Sequence, residues 1–222
     1  GMFCFSKLCL YKTKESYIID EAEPIELFFE LRNDLERLAL AQYFSELIIT
    51  LVQEDESAED YLRLILNSLH FLAKGKMPTE QVKAITELRL MCIAGYMPNL
   101  VACAGCAESD LQTYYFDVMG GVFRCEECFR ADSVLAARLA ERQSENDGIY
   151  QTGQVIAIIS PSVFAAMRHA VYSRAERIFS FELKDNETLS DFASVAEKYL
   201  VCHMERSYTT LEFYHAVKTP LK

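Results

Sequence analysis

The sequence predicts a mainly α-helical protein with a small β piece at its front and a cysteine-rich insert near its middle. Three observations carry this. Apolar residues recur at helical spacings through most of the chain, whereas the front holds short runs of aromatic and apolar residues. Two Cys-x-x-Cys pairs, Cys103/Cys106 and Cys125/Cys128, enclose 18 residues between them.

The front reads as a β-hairpin over residues 2–24, with strands at Phe3–Tyr11 and Ser16–Asp20 turning around "KTKES". After Pro24 the period changes. Phe28, Leu31, Leu35, Leu38 and Leu47 share a helical stripe and predict one long helix from about Glu26 to Leu51. Ser57-x-x-Asp60 is a capping-box pattern opening a second helix, which carries Leu62, Ile65, Leu66, Leu69 and Leu72 and stops at Gly75. Pro78-Thr79 opens a third, with Val82, Ile85, Leu88 and Cys92 inward, Gly95 just past its end and Pro98 beyond. Behind the cysteines the pattern predicts a helix over Asp132–Glu141 and a loop over "SENDGIYQTG". Ser160-Pro161, a cap and first-turn pair, opens a helix to about Ile178. A second capping-box pattern, Thr188-x-x-Asp191, opens a last long helix to about Glu205.

Composition excludes several classes. The 222 residues are 51% apolar, enough to bury a sizeable core, yet no run approaches the length of a membrane span. The start lacks the pattern of a secretory signal, so a cytoplasmic protein is expected, in which eight cysteines are thiols or metal ligands rather than disulfides. The net charge of −11 has the wrong sign for a protein whose whole surface grips nucleic acid. "EDESAED" at 54–60 holds five carboxylates and no base, while Val155–Lys222 balances eight acidic against eight basic residues.

The four paired cysteines point to one structural Zn²⁺ per chain. A tetrahedron of thiolates at about 2.3 Å satisfies the ion, and each Cys-x-x-Cys turn supplies two sulfurs to one side of it. "TYYFDVMGGVF" reads as two short strands around Gly120-Gly121, a hairpin that returns Cys125 and Cys128 beside Cys103 and Cys106. Three other readings fit less well. Inert thiols leave the spacing unexplained. A thioredoxin-like redox pair needs a βαβ context that is absent. A catalytic zinc keeps an open position that four cysteines close. Cys4, Cys9, Cys92 and Cys202 sit alone in apolar surroundings as core or sheet filler. His70, His169, His203 and His215 show no ligand spacing. There is no nucleophile elbow, phosphate loop or pair of catalytic carboxylates, so no enzyme is expected.

Several of these stretches resemble the RecO family of bacterial DNA-repair and recombination mediators. "ELRLMCIAGYMPNLVACAGC" is similar to the family's leucine-rich helix ending in Gly-Tyr-x-Pro-x-Leu before Cys-x-x-Cys, here Gly95, Tyr96, Pro98, Leu100, Cys103 and Cys106. "GGVFRCEECF" looks like its returning ribbon strand. "LRNDLERLALAQYFSELI" looks like its first long helix. "AMRHAVYSRAERIFSFEL" and "YLVCHMERSYTTLEFYH" resemble its closing helices. Where many members have Gly after the second cysteine, this chain has Ala107.

The resemblance implies a helical bundle domain over 25–222 with a Cys4 zinc ribbon inserted at 101–131. It also implies that the hairpin at 2–24 is a remnant of an OB-fold barrel, most of whose strands are missing here. By the same resemblance the protein is a non-enzymatic mediator of the RecF-pathway type, cytoplasmic and nucleoid-associated. It would act through DNA (weakly without the full barrel), RecR and the acidic C-terminal tail of the single-strand-binding protein, with no membrane partner. An acidic tail ending in a free carboxylate calls for guanidinium groups beside apolar walls. The stretch predicted as helix from Ser162 to Ile178 offers Arg168, Tyr172, Arg174 and Arg177, with Phe164, Met167 and Val171 as walls. The alternative is a zinc ribbon that itself contacts nucleic acid. Against it, residues 101–131 set Arg124 and Arg130 against Glu108, Asp110, Asp117, Glu126 and Glu127, and affinity for phosphate comes largely from cations. The uncovered hairpin strands predict a homodimer through residues 3–19.

Overall fold

The computed structural model describes residues 2–53, 57–132 and 156–218. Among them the element order is β1 (Cys4–Lys12), β2 (Tyr17–Leu27), a 3-10 turn (Phe29–Asn33), α1 (Leu35–Leu51), α2 (Glu59–Lys74), α3 (Thr79–Ile93), β3 (Tyr114–Asp117), β4 (Val122–Arg124), α4 (Glu126–Ala131), β5 (Ile156–Ile159), α5 (Pro161–Tyr172), a second 3-10 turn (Ala175–Arg177), α6 (Asn186–Met204) and α7 (Thr209–Lys218). The mainly α character and the leading hairpin agree with the sequence reading. The chain divides into two compact units. One comprises Gly1–Glu56, Ile65–Thr79 and Tyr208–Lys222, the other Ser57–Leu64 and Glu80–Ser207.

In the first unit β1 and β2 pair antiparallel, and the connecting turn is closed by Thr13 N–H to Ser16 O (2.8 Å). β2 runs through Pro24 to Leu27, past the boundary expected at that proline. The reason is a bulge. Phe5 faces Glu26 and Ser6 faces Pro24, so the ladder skips Ile25, and a bulge is a place where proline's missing N–H is tolerated. The helix expected from Glu26 begins only at Leu35. Phe28 and Leu31 are buried as the apolar stripe implied, but Phe28 caps and Leu31 lies within a 3-10 turn, whose spacing of three mimics the stripe. Asp34, with extended backbone, then breaks the run and caps α1 by accepting from Arg37 N–H (3.1 Å). α1 buries Leu40, Tyr43, Phe44 and Leu47. Tyr43 meets Tyr208 edge to face at 5.9 Å, and Glu46 accepts from Thr210 at the start of α7, where a carboxylate also suits the helix dipole.

The second unit is built around α3. Every residue from Gln81 to Leu88 is buried, polar ones included. Each polar group has a partner. The Gln81 amide donates to Phe181 O (2.7 Å) and accepts from Leu183 N–H (3.0 Å), and the Thr86 hydroxyl donates to Val82 O. Lys83 Nζ reaches Glu87 at 2.9 Å on its own helix and Glu197 of α6 at 2.6 Å. Arg89 donates to Val171 O at the end of α5, a cation placed at a helix C-terminus (2.5 Å). α3 closes with Gly95 N–H to Cys92 O and Tyr96 N–H to Met91 O, the paired bonds of a Schellman end.

A three-stranded antiparallel sheet of order β4-β3-β5 follows. The third strand, β5, is not apparent in the sequence reading. On one face Tyr114 stacks on Phe164 of α5 at 3.8 Å, and Phe116 lies 5.7 Å from Tyr199 of α6. On the other, Tyr115 stacks on Phe129 of α4 at 4.3 Å. α5 ends at Tyr172, not near Ile178, because Ser173 and Arg174 are extended (ψ 153° and 150°). α6 starts earlier than its capping-box pattern implied. Its cap is Asp185, whose carboxyl is held below its usual range by hydrogen bonds from the Thr188 hydroxyl and N–H. The helix expected over Asp132–Glu141 lies, from residue 133 on, outside the described residues, as does the loop at 144–153.

The Lys83 cluster fixes how stability should respond. Burial alone would strip the Lys83 ammonium of its proton, but Glu87 and then Glu197 outweigh it and raise its proton affinity above the ordinary value of 10.5. Stabilisation by this group is therefore fully present below that value and is lost as pH rises through the raised folded one. Replacing Lys83 by Ala leaves Glu87 buried beside an empty place. Urea unfolding at neutral pH should show a loss of about 3–5 kcal/mol, and a loss under 1 kcal/mol would contradict the account.

Candidate metal centre

The four sulfurs are delivered by two different local structures. Cys103 and Cys106 lie on a turn after α3, closed by Ala107 N–H to Cys103 O (2.9 Å). Cys125 directly follows β4 and caps α4 by accepting from Cys128 N–H, one turn into the helix (3.4 Å). The β3–β4 hairpin brings the pairs together. Its turn is closed by Gly121 N–H to Asp117 O and Gly120 N–H to the Asp117 carboxylate. Ala104 N–H to Phe123 O then ties the first pair directly to β4 (2.9 Å).

All four Sγ atoms lie within 4.8 Å of one another, and Cys106 and Cys125 Sγ are 3.7 Å apart. A tetrahedral ion with metal–sulfur bonds of about 2.3 Å requires sulfur–sulfur distances of about 3.8 Å. Cage size and donor set therefore fit a metal ion, and all four cysteines singled out in the sequence are in it. Backbone donors surround the buried Cys103 sulfur, with Cys125 N–H at 3.2 Å and Gly105 N–H at 3.4 Å. Burial pushes this thiol up, but the donors from Cys106, Cys125 and Gly105 outweigh it and bring it to about 6. The Cys128 thiol is pushed up to about 12 by its hydrogen bonds with the Cys125 and Cys106 side chains. Metal-free, the four compete for charge; a bound cation lets all of them ionise.

Two backbone positions are tight. A Cβ at Gly105 would lie 2.7 Å from Cys128 Sγ and 2.8 Å from its Cβ. Ala107 has φ 63°, the left-handed region that disfavours any residue with a Cβ. Outside the cage, Cys106, Cys125, Glu108, Leu111, Gln112, Thr113, Glu126 and Glu127 line a groove of about 400 Å³. Three carboxylates there make the approach to the cage acidic.

The segment between α3 and the first cysteine is held by two tyrosine hydroxyls that sequence reasoning assigned no such role. Tyr172 Oη accepts from Leu100 N–H (2.8 Å) and donates to Pro98 O (3.2 Å). Tyr199 Oη donates to Tyr96 O (3.1 Å), and Asn99 N–H donates to Gly121 O (2.7 Å). Burial, with Cys92 alongside, raises the Tyr199 phenol, which stays a donor. Gly121, at φ 61°, allows this approach, since a Cβ there would lie 3.0 Å from Tyr199 Oη.

The partner-binding residues are less concentrated than their spacing implied. Arg168 is exposed on α5, its guanidinium 5.8 Å from the Phe164 ring. Tyr172 is 43% exposed at the helix end. Arg174 and Arg177 are exposed but lie beyond α5, on the 3-10 turn that His169 ties back by its contact with Arg177 O (2.8 Å). Phe164, Met167 and Val171, read as pocket walls, are buried in the core.

Comparison with known proteins gives a consistent set. The family profile described as "Recombination protein O C terminal" matches residues 32–212. The chain is 29% identical over 212 residues to the "DNA repair protein RecO" of Acetivibrio thermocellus, covering 96% of this chain and 76% of that protein. It is 36% identical over 127 residues to the protein of the same name from Caldicellulosiruptor bescii, covering 57% of this chain and 51% of the relative. It is 30% identical over 144 residues to that from Alkaliphilus metalliredigens, covering 62% and 58%. These last two matches thus span about half to three-fifths of the relatives' own lengths.

The cage makes a paired prediction. Gly105→Ala should abolish stoichiometric metal binding, whereas Ala107→Gly, by removing left-handed strain of about 1 kcal/mol, should keep it and slow metal loss. Elemental analysis and the rate of release to a chelator read both. Metal retained by Gly105→Ala would refute the cage geometry.

Proposed function

This chain belongs to the RecO family, and from that premise we propose that it acts in DNA repair and homologous recombination as a non-enzymatic mediator of the RecF-pathway type. The family match over residues 32–212 carries the reading. On this reading the protein works by binding DNA, RecR and the acidic C-terminal tail of the single-strand-binding protein, in the cytoplasm at the nucleoid. Among the described residues no helix is long and apolar enough to cross a membrane.

The metal is Zn²⁺, one per chain, held by Cys103, Cys106, Cys125 and Cys128. Its role is structural. Four thiolates fill the coordination shell, and binding supplies the folding free energy that so small a ribbon lacks. The ribbon is a poor surface for phosphate. Four thiolates around Zn²⁺ keep two net negative charges, and Glu108, Glu126 and Glu127 line the adjacent groove.

For the acidic tail the end of α5 is the better surface. Arg168, Arg174 and Arg177 are exposed there beside Tyr172. The buried Phe164, Met167 and Val171 are replaced as apolar walls by Met97 and Val101, 55% and 58% exposed, on the segment that Tyr172 grips. Anisotropy with a labelled acidic tail peptide tests this. Arg174→Glu with Arg177→Glu should weaken binding at least tenfold, and unchanged affinity places the site elsewhere. In the same assay a single-stranded oligonucleotide should bind weakly at physiological salt, because the net charge is −11. Tight, salt-resistant binding would contradict this.

Self-association through residues 3–19 belongs to the same proposal. Leu8, Leu10, Tyr11, Tyr17, Ile18 and Ile19 are all exposed on a hairpin with two open edges. Sedimentation at high concentration should show a dimer that Leu8→Lys with Leu10→Lys dissociates. A monomeric parent chain would rule it out.

A further inference from the structure

We propose that Tyr172 and Tyr199 are positioning residues for the metal cage, and that the helices hold the ribbon's first cysteine pair in place through their two hydroxyls. The argument starts from the connection. Only Val101 and Ala102 separate Leu100 from Cys103, so the place of Leu100 sets the place of the first sulfur. The segment Tyr96–Leu100 has no helix or strand of its own. Its polar backbone is instead satisfied from outside. Tyr199, on α6, donates to Tyr96 O; Tyr172, on α5, donates to Pro98 O and accepts from Leu100 N–H; and the β3–β4 turn takes Asn99 N–H through Gly121 O.

The two tyrosines act at opposite ends of the segment and come from different helices. Tyr172 is the more telling. One hydroxyl uses both its donor and its acceptor capacity on residues 98 and 100, which pins the chain across Asn99. Asn99 is also the residue that bonds the turn returning the second cysteine pair. A single hydroxyl therefore registers the two halves of the cage against each other. Tyr199 supports the same register, since its hydroxyl also fills the space beside Gly121. Groups that orient ligands from outside the coordination shell commonly control how well a site keeps its metal.

The inference rests on the metal reading above, and its test separates the two. Tyr172→Phe and Tyr199→Phe remove one oxygen each and leave the ring packing. Both variants and the parent chain are purified with their metal, and release to excess chelator is timed. Each variant should release metal about fivefold faster, the equivalent of one net hydrogen bond, and the double variant faster still. Helical circular dichroism should not change. Amide exchange supplies a second readout. The Leu100 N–H should be protected in the parent and lose that protection in metal-loaded Tyr172→Phe, which loss of global stability alone would not do selectively. Metal present but released at the parental rate, with Leu100 still protected, overturns the clamp and leaves the metal reading standing. A freshly purified parent chain without metal overturns both.

Discussion

Four sulfur atoms within 4.8 Å of one another are the constraint on which the second unit's ribbon depends. Thiolates so close repel, and neutral thiols at this spacing satisfy one another only in part. Backbone donors draw the Cys103 thiol down, while the Cys125 and Cys106 side chains push the Cys128 thiol up. A divalent cation held there would convert this cluster into a crosslink for a segment whose strands are three and four residues long. The rest of the ribbon is arranged around this point. The Asp117–Gly121 turn sets the return path, Gly105 leaves room for Cys128, and Ala107 accepts a left-handed backbone to close the first turn.

The helices contribute a different kind of order. α3 is buried all round, so its polar residues can be kept only by partners at fixed places. Gln81 grips Phe181 and Leu183, Lys83 reaches Glu197, and Arg89 caps α5. Each of these ties α3 to a part of the chain far away in sequence. An apolar α3 would pack as tightly but would not specify which residue of α6 lies opposite which turn. Fixing α5 and α6 in this way also fixes where Tyr172 and Tyr199 present their hydroxyls.

The sequence made the local features legible and left the distant ones hidden. The cysteine cage was readable because metal geometry restricts spacing, residue type and intervening hairpin together. The limits of α2 and α3 were readable because Gly75 and Gly95 end them chemically. The start of α1 and the end of α5 were not, and for the same reason. A 3-10 turn also repeats every three residues, so Phe28/Leu31 and Arg174/Arg177 both pass as helical spacing. The capping pattern at Thr188 was one turn late because Asp185 offers a stronger acceptor. β5 escaped notice because four apolar residues do not reveal a strand until a partner is known. The roles of Gln81, Lys83, Tyr172 and Tyr199 had no local signal, since each depends on residues that only folding brings near.

Charge is distributed unevenly within this acidic chain. Beside the cage, Glu108, Glu126 and Glu127 line the groove together with Leu111, Gln112 and Thr113, which makes that groove acidic. At the end of α5 the position is reversed. Arg89 is turned inward to cap the helix, which leaves Arg168, Arg174 and Arg177 free to face solvent. On the function proposed above, an anionic partner is met at the helix end and not at the ribbon. Tyr172 stands at the same helix end, and its hydroxyl holds the segment leading to Cys103. If the tail binds there as proposed, a ligand that moves the Tyr172 ring must do so against both of its hydrogen bonds, to Leu100 N–H and to Pro98 O.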